Sequence, residues 1–237
     1  MAENVNPASL SHRSFLYRVH AAAGAQFVEA GGFAVPDTYG KSVDEETARA
    51  HEMGIADLSH LPRTGFKGWN TAAWLSGQGC TFDDASNRAY AQACSARLLR
   101  LAPNELAVLG DVKGESGLVD KLIGAWDPAA PDGTFQVPRA ETNCWLKVTG
   151  EHAAGMFAKI CAVDLRPQHF DDGAIAQTNI ARLNCIVARH DIGLTTTYDI
   201  LTDCASADYF WAALLDAMEE FSGAPVGVAA ITQLAGV

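Results

Sequence analysis

Residues 89–98 read AYAQACSARL and residues 174–183 read AIAQTNIARL, so one ten-residue segment occurs twice, 85 residues apart. Six of its ten positions are identical, and the order of predicted strands and helices around the two copies also matches. In the same way, FKG at 66–68 corresponds to VTG at 148–150. The repeat suggests that the chain consists of two related halves. One such half, with a single apolar face, cannot bury that face alone, whereas two halves packed together can. The repeat therefore predicts an α+β fold with pseudo-twofold character.

Turn residues and composition divide the chain into an N-terminal arm and helix (1–53), a first half (54–126), a linker (127–138) and a second half (139–237), which form one compact unit. The linker holds three prolines and few large apolar residues. Each half is predicted as strand, helix, strands, helix. The tail, 224–237, has no charged side chain. We predict a final strand packed on this chain's own core; the alternative is a segment that docks on a partner.

Local signals place several helices. Ser42 followed by Glu45 three residues later is a capping box, which predicts a helix through about residue 53 that ends at Gly54. Apolar residues recur at helical spacing within residues 117–126, which predicts a second helix there. Ser206 is predicted to begin a third helix, whose apolar stripe extends to residue 218.

Composition and charge restrict the class of function. Hydrophobic residues make up 49% of the 237 residues, and the formal net charge is −11. Surfaces for nucleic acid or an anionic membrane need clustered Lys and Arg, so the charge argues against both partners. No stretch is apolar and long enough for a transmembrane helix, and the N-terminus lacks the apolar core of a signal peptide. We expect a soluble cytoplasmic protein with reduced thiols.

The stretch GIADLSHL at residues 54–61 is the densest polar cluster beside apolar residues. Asp57 or His60 in it could act as a general acid or base. The favoured alternative is a turn in which Asp57 and Ser59 make hydrogen bonds to the backbone. The histidines and cysteines lack the spacing of metal ligands, and no phosphate-binding loop or nucleophile elbow occurs. We therefore predict no metal site, and the residues alone identify no catalytic group.

Residues 14–61 resemble the N-terminus of the glycine cleavage T-protein (aminomethyltransferase) family, where the segment equivalent to 54–61 reads close to GLFDVSHMG. The likeness also rests on AGAQFV at 23–28, AGGFAVP at 30–36 and Tyr39-Gly40. Other stretches are similar to the γ subunit of heterotetrameric sarcosine oxidase, a relative of the same fold: 56–68, 101–111, 161–167, Phe170, Gly173 and Gln177-Thr178. The resemblance implies a T-protein-like folate-binding fold. It also implies a folate-pocket-like role for Asp57, Ser59 and His60.

One departure from the T-protein pattern bears on catalysis. T-proteins carry an acidic residue in a glycine-rich stretch after an AQYT run, but here residues 91–94 (AQAC) lead directly into 95–101 without that stretch. Residues 117–123 (GLVDKLI) are similar in sequence to that glycine-rich stretch, yet the repeat aligns them with the predicted helix at 209–218. Asp120 is then a residue on a helix surface. We accordingly assign no catalytic residue to this chain.

The resemblance leads to two main hypotheses. In the first, the chain is a non-catalytic γ-type subunit of a heterotetrameric sarcosine oxidase or N-methyl amino acid dehydrogenase. Such a complex oxidatively demethylates an N-methyl amine and passes the one-carbon unit to tetrahydrofolate. This chain would hold no cofactor, because larger flavoprotein subunits carry the flavin, NAD and tetrahydrofolate. In the second, it is a stand-alone tetrahydrofolate-dependent aminomethyl or methyl transferase, in which Asp57 or Asp120 orients or protonates the amine. A folate-sensing module, which binds without turnover, is a third option.

Overall fold

The computed structural model describes residues 3–236; residues 1, 2 and 237 lie outside the described part. The strands are β1 (His12–Arg13), β2 (Gln26–Ala30), β3 (Phe33–Thr38), β4 (Gly54–Asp57), β5 (Arg63–Lys67), β6 (Arg88–Ala91), β7 (Arg97–Ala102), β8 (Glu105–Leu109), β9 (Phe135–Val137), β10 (Asn143–Thr149), β11 (Ile175–Ile180), β12 (Leu183–Arg189), β13 (Thr197–Asp203) and β14 (Ala224–Pro225). The α-helices are α1 (Tyr17–Ala22), α2 (Val43–Glu52), α3 (Thr71–Gly77), α4 (Leu118–Ala125), α5 (Ala153–Ile160), α6 (Ala207–Met218) and α7 (Val228–Leu234).

Two large sheets repeat one strand order. The first is β6-β7-β8-β5-β9 and the second is β11-β12-β13-β10-β4-β14. Neighbouring strands are antiparallel in both sheets, except that β14 is parallel to β4. Helices α3 and α4 follow β5 and β8, just as α5 and α6 follow β10 and β13. The α+β class and the two pseudo-repeated halves predicted from the sequence are confirmed.

Each half contributes the strand that precedes it to the sheet of the other half. β4 comes directly before β5 in the chain but pairs with β10, and β9 comes directly before β10 but pairs with β5. β9 lies within the predicted linker 127–138, and β4 lies within the predicted first half, 54–126. The two strands therefore cross the predicted boundaries, and the division into halves along the chain stays a prediction. The exchange links the sheets through backbone hydrogen bonds.

The repeated segments form equivalent hairpins that contact each other. Arg88 and Ala174 form an isolated antiparallel bridge, and Ala89 N donates to the carbonyl of Gly173 at 2.8 Å. Gly173 has φ +79°, and a Cβ there would lie only 3.2 Å from the carbonyl oxygen of Ala89. Residues that correspond by the repeat thus lie side by side, which places them near the pseudo-twofold axis.

The two halves together form four layers, in the order helices, sheet, sheet, helices, and the N-terminal strands form a separate sheet of order β1-β3-β2. Residues of both sheets share the central core, including Leu99 and Leu109 from the first and Trp145 and Leu201 from the second. Helices α3 and α4 cover the other face of the first sheet, and α5 and α6 cover that of the second. Burial of a side chain of this size contributes about 1.5–3 kcal/mol. Trp145 of this central core also donates a hydrogen bond from Nε1 to Asp199 at 2.8 Å.

Helix α2 begins at the predicted capping box. Ser42 Oγ accepts a hydrogen bond from Glu45 N at 3.3 Å, and the Glu45 carboxylate accepts one from Ser42 N at 3.0 Å. The predicted role of Gly54 is wrong, since this residue starts β4. A Cβ at Gly54 would lie 2.9 Å from Thr149 Oγ1 and 3.1 Å from Ala50 Cα. Glycine at this position permits close packing of α2 on β10.

The C-terminal tail packs on this chain, but mostly as a helix. Only Ala224–Pro225 is extended, and Val228–Leu234 forms α7, so the predicted final strand is wrong for most of the tail. Ala230 and Ile231 are fully buried. Gly227 N donates to the buried carboxylate of Glu46 at 2.7 Å, which fixes the start of α7 against α2. Among the described residues, no helix has the length and apolar character needed to span a membrane.

Candidate functional site

Asp57, at the end of β4, is fully enclosed by the N-terminal arm. Its carboxylate accepts hydrogen bonds from Ser14 Oγ, from His20 Nε2 at 2.9 Å and from Ser59 N at 2.9 Å. Burial alone would raise the pKa of Asp57, but the hydrogen bonds from His20, Ser14 and Ser59 outweigh it and hold the pKa well below the usual carboxyl range. The carboxylate therefore stays ionised and connects the arm to β4.

The hydrogen-bond chain continues from Asp57 towards the surface. Tyr39 Oη lies 2.8 Å from His20 Nδ1, and the Trp211 indole and the same imidazole form a T-shaped pair with ring centroids 4.9 Å apart. His20 joins the two groups, because its Nε2 faces Asp57 and its Nδ1 faces Tyr39. Burial, followed by the charges of Asp57 and Glu46, raises the pKa of Tyr39. Tyr39 thus remains a neutral hydrogen-bond donor.

Ser59 lies in the turn after β4 and holds that turn against β10. Its Oγ accepts a hydrogen bond from Trp145 N at 3.0 Å, and its carbonyl accepts one from Arg63 Nη1 at 2.8 Å. Arg63 is 2% exposed and also donates to backbone carbonyls of Leu61, Ala140 and Asn143. These contacts, with the bond from Ser59 N to Asp57, form the turn that the sequence favoured.

Ser59 and His60 line a cavity of about 510 Å³ between the N-terminal arm and α4, here called cavity A. Asp120, on the exposed face of α4, lines it too, so the cavity brings together three residues singled out from the sequence. Asp57 does not line it and lies behind Ser14 and Ser59. Burial lowers the pKa of His60 to about 4; the negative charge of Asp57 opposes this effect, and the positive charge of Arg63 adds to it. His60 is neutral at pH 7.

A second cavity, of about 780 Å³, lies on the other side of Lys113 and is called cavity B. Its walls are the turn between β6 and β7 at residues 91–95, the loop at 111–116, Arg97 and residues 190–192. Asp111 holds the loop, because its carboxylate accepts hydrogen bonds from the backbone N–H groups of Lys113, Glu115 and Ser116. Pockets of this volume are typical of small-molecule sites.

A buried ion pair lies next to the wall of cavity B. Lys147 Nζ on β10 is 2.7 Å from Asp199 Oδ1 on β13, directly opposite in the strand register. The same oxygen accepts a hydrogen bond from Trp145 Nε1 at 2.8 Å, and His190 Nδ1 lies 3.7 Å from the other oxygen. Burial would raise the pKa of Asp199, but Lys147 and His190 hold it well below the usual range. Both members of the pair are almost fully buried.

The ion pair occurs in one half only. In the first half, the strand positions equivalent to Lys147 and Asp199 are Gly65 and Ala107, which also face each other in register. Arg97, on the wall of cavity B, forms no salt bridge within residues 3–236, and burial lowers its pKa. A half-buried guanidinium without an ion-pair partner favours an anionic ligand. The two halves therefore differ at the positions of this ion pair, next to cavity B.

Sequence reasoning missed this second cluster: Lys147, Asp199, His190 and Arg97. A signal was present, because Lys147 and Asp199 are single charges inside apolar strand segments. Their pairing depends on the register of β10 and β13, which the sequence does not state. Within the described residues, no group of three or more His, Cys, Asp and Glu is arranged to hold a metal ion.

Two pseudo-repeated halves with these sheets define a T-protein-like fold. The structure is similar to the glycine cleavage system aminomethyltransferase T from Bartonella henselae, with a TM-score of 0.70 and 18% identity over 94% of this chain and 61% of that chain. It is also similar to a chain of the heterotetrameric sarcosine oxidase from Corynebacterium sp. U-96 in complex with pyrrole 2-carboxylate. That match has a TM-score of 0.65 and 20% identity over 91% of this chain and 98% of that chain.

Sequence comparison finds similarity to aminomethyltransferases. The chain is 25% identical to an aminomethyltransferase of Mycobacterium avium (strain 104) over 237 residues, which cover 95% of this chain and 62% of the relative. An aminomethyltransferase of Desulforamulus reducens is 23% identical over 240 residues, 92% of this chain and 61% of the relative. The chain thus spans about three fifths of the length of these relatives. No family model matches it.

Proposed function

We propose that this chain is a γ-type subunit of a heterotetrameric sarcosine oxidase or N-methyl amino acid dehydrogenase. The observation that carries the proposal is the extent of the structural likeness. The match covers 91% of this chain and 98% of the chain from the sarcosine oxidase assembly, with a TM-score of 0.65. In this proposal, larger flavoprotein subunits bind flavin, NAD and tetrahydrofolate, and the complex oxidatively demethylates an N-methyl amine. The one-carbon unit passes to tetrahydrofolate.

The hydrogen bonding of Asp57 supports a structural role for this residue in the turn after β4. A general base must come within hydrogen-bond reach of the proton that it removes. Asp57 is 2% exposed, its oxygens accept three internal hydrogen bonds, and Ser14 and Ser59 separate it from cavity A. Asp120 is exposed on α4 and has no hydrogen bond that would orient its carboxylate within the described residues. Neither carboxylate is positioned as a catalytic base, which favours the subunit over the transferase.

Co-purification tests the proposal. The chain is co-expressed with the α, β and δ subunits of a sarcosine-oxidase-type complex from the same source, and the products are separated by size-exclusion chromatography with light scattering. We expect the chain to co-elute with the flavin absorbance at one copy per complex. Expression of α, β and δ without this chain is the matched control. Elution of the chain as a separate, stable monomer in the presence of all three subunits would contradict the proposal.

Cavity B is the observation that favours the second candidate, a stand-alone tetrahydrofolate-dependent aminomethyl or methyl transferase. Its volume and the free charge of Arg97 fit a ligand that carries carboxylates. Titration calorimetry with tetrahydrofolate separates the candidates, because no binding up to millimolar concentration excludes the transferase. If tetrahydrofolate binds, Arg97→Gln should weaken binding, and Arg88→Gln, outside the cavity, serves as the control. Binding without methyl or aminomethyl transfer would indicate a folate-sensing module.

A further inference from the structure

The outer side of β9 differs from the equivalent position in the other sheet. β9 corresponds to β4, since both are the exchanged strands of their sheets. β4 is covered on its outer side by β14, which pairs with it in parallel, Ala224 beside Gly54 and Pro225 beside Ile55. Val226 N adds a hydrogen bond to the carbonyl of Ile55 at 2.9 Å. Within residues 3–236, no strand takes that place beside β9.

Two large aromatic side chains are exposed next to this edge. Trp69 is 78% exposed and Phe135 is 53% exposed, and they come from the segment after β5 and from β9 itself. The Trp69 indole lies directly on the backbone of Gly133, where a Cβ would be 2.2 Å from its Cε2 atom. A Cβ on Gly68 would lie 3.3 Å from Phe135 Cδ2. The two glycines thus allow each ring to pack closely against the backbone.

A side chain at the end of α4 fixes the segment that leads into β9. Trp126, at the end of α4, donates a hydrogen bond from Nε1 to the carbonyl of Thr134 at 2.7 Å, just before β9. A pre-positioned Trp and Phe beside unpaired strand groups are typical of binding surfaces, because little conformational freedom is lost on association. Pro131 and Pro138 flank the three-residue strand, which limits unspecific pairing with other chains.

We propose that Trp69, Gly133 and Phe135–Val137, together called the β9 edge, bind an extended segment of a partner polypeptide. The segment adds a strand parallel to β9, in the place that β14 takes beside β4. Its apolar side chains cover Trp69 and Phe135, as Val226 after β14 is buried against this chain's own core. The inference rests on the proposed function in one respect, since the partner is a subunit of the flavoprotein complex.

The charges around the β9 edge favour a different polypeptide that carries basic residues near its apolar segment. Residues 127–138 contain Asp127 and Asp132 and no Lys or Arg, and neither carboxylate is in a salt bridge within the described residues. The nearby cations, Lys67 and Arg139, both pair with Glu105. A second copy of this chain would bring the same carboxylates together, with a net charge of −11 on each molecule. The edge therefore favours a heterologous, basic partner segment.

The test uses the full-length chain and the purified α, β and δ subunits as the probe. Binding is measured by biolayer interferometry for the unchanged chain, Trp69→Ser, Phe135→Asp and the control Leu194→Asp, whose side chain is fully exposed elsewhere. Circular dichroism and thermal unfolding verify that each variant is folded. We expect Phe135→Asp and Trp69→Ser to weaken binding at least about 30-fold, in the range of interface hot spots, and the control to change it less than about 3-fold. Hydrogen exchange of residues 132–138 should slow in the complex.

The outcomes separate this inference from the proposed function. If the unchanged chain does not bind the subunits, the proposed function fails. If the chain and both aromatic variants bind equally well, the function stands and the docking assignment is overturned. An equal loss for Leu194→Asp would show a general charge effect and would also overturn it. Sedimentation of the isolated chain completes the set: a dimer that Phe135→Asp dissociates would assign the β9 edge to a second copy of this chain instead.

Discussion

Replacing Lys147 by Met removes one member of the buried ion pair between β10 and β13. The remaining carboxylate, Asp199, is 3% exposed and keeps one short hydrogen bond, from Trp145 Nε1 at 2.8 Å. Breaking a buried pair by removing one partner costs about 3–5 kcal/mol, because the other charge stays buried without compensation. We expect a loss of about that size in the free energy of unfolding at pH 7, measured by urea denaturation.

The double variant Lys147→Met/Asp199→Asn provides the matched control. The Asn side chain keeps an acceptor for Trp145 Nε1 but removes the uncompensated charge. Replacing both members of a buried pair is often nearly neutral, so the double variant should recover most of the lost stability. A double variant as unstable as Lys147→Met would show that packing, not charge, causes the loss.

The pH dependence of the Lys147→Met loss gives an independent test. In the unchanged chain, the pKa of Asp199 lies below its unfolded value, so its contribution is present above that value and is lost in acid. Without Lys147, burial raises the pKa of Asp199 above the unfolded value. The native state of the variant then takes up a proton more readily, and the loss should shrink as the pH falls from 7 towards 4. A loss below about 1 kcal/mol at pH 7, or one independent of pH, would refute the reasoning.

Three further predictions concern the arm, helix α2 and cavity A. Asp57→Asn should cost about 2–3 kcal/mol in urea unfolding because Ser14 and His20 lose a charged acceptor, whereas the exposed Asp120→Asn should stay within about 0.5 kcal/mol; equal effects would contradict the assignment. Ser42→Ala should cost about 1 kcal/mol by the same measurement, and no loss would show that the capping box is not needed. The pKa of His60 in the folded chain, about 4, is below the usual histidine value of 6.5, so stability from the neutral ring is present above pH 6.5 and is lost as the pH falls through 4. In His60→Gln, the free energy of unfolding should therefore depend less on pH between pH 6.5 and 4, as measured by urea denaturation. An unchanged pH dependence would contradict the lowered pKa of His60.

The candidate site could be predicted from the sequence only where its contacts are local. The turn after β4 is an example, because Asp57 bonds to Ser59 N only two residues away. The capping box of α2 is another, since it involves residues three apart. The assignment of Asp120 to a helix follows from the repeat and agrees with α4. By contrast, the bonds from Ser14 and His20 to Asp57 join segments distant in sequence, and no local pattern specifies them.

The sequence by itself determined the α+β class, the two related halves and the position of α2, because periodicity, capping and internal identity act over short segments. Only the tertiary structure decided that β4 pairs with β10 of the second half and β9 with β5 of the first half. The reason is that the pairing of a strand depends on which sheet edge is accessible to it once the layers have packed. The apolar tail has no decisive periodicity, and contact with α2 makes it helix α7. The pairing of Lys147 with Asp199 likewise arises from strand register, because two buried charges stabilise each other only when the register brings them together.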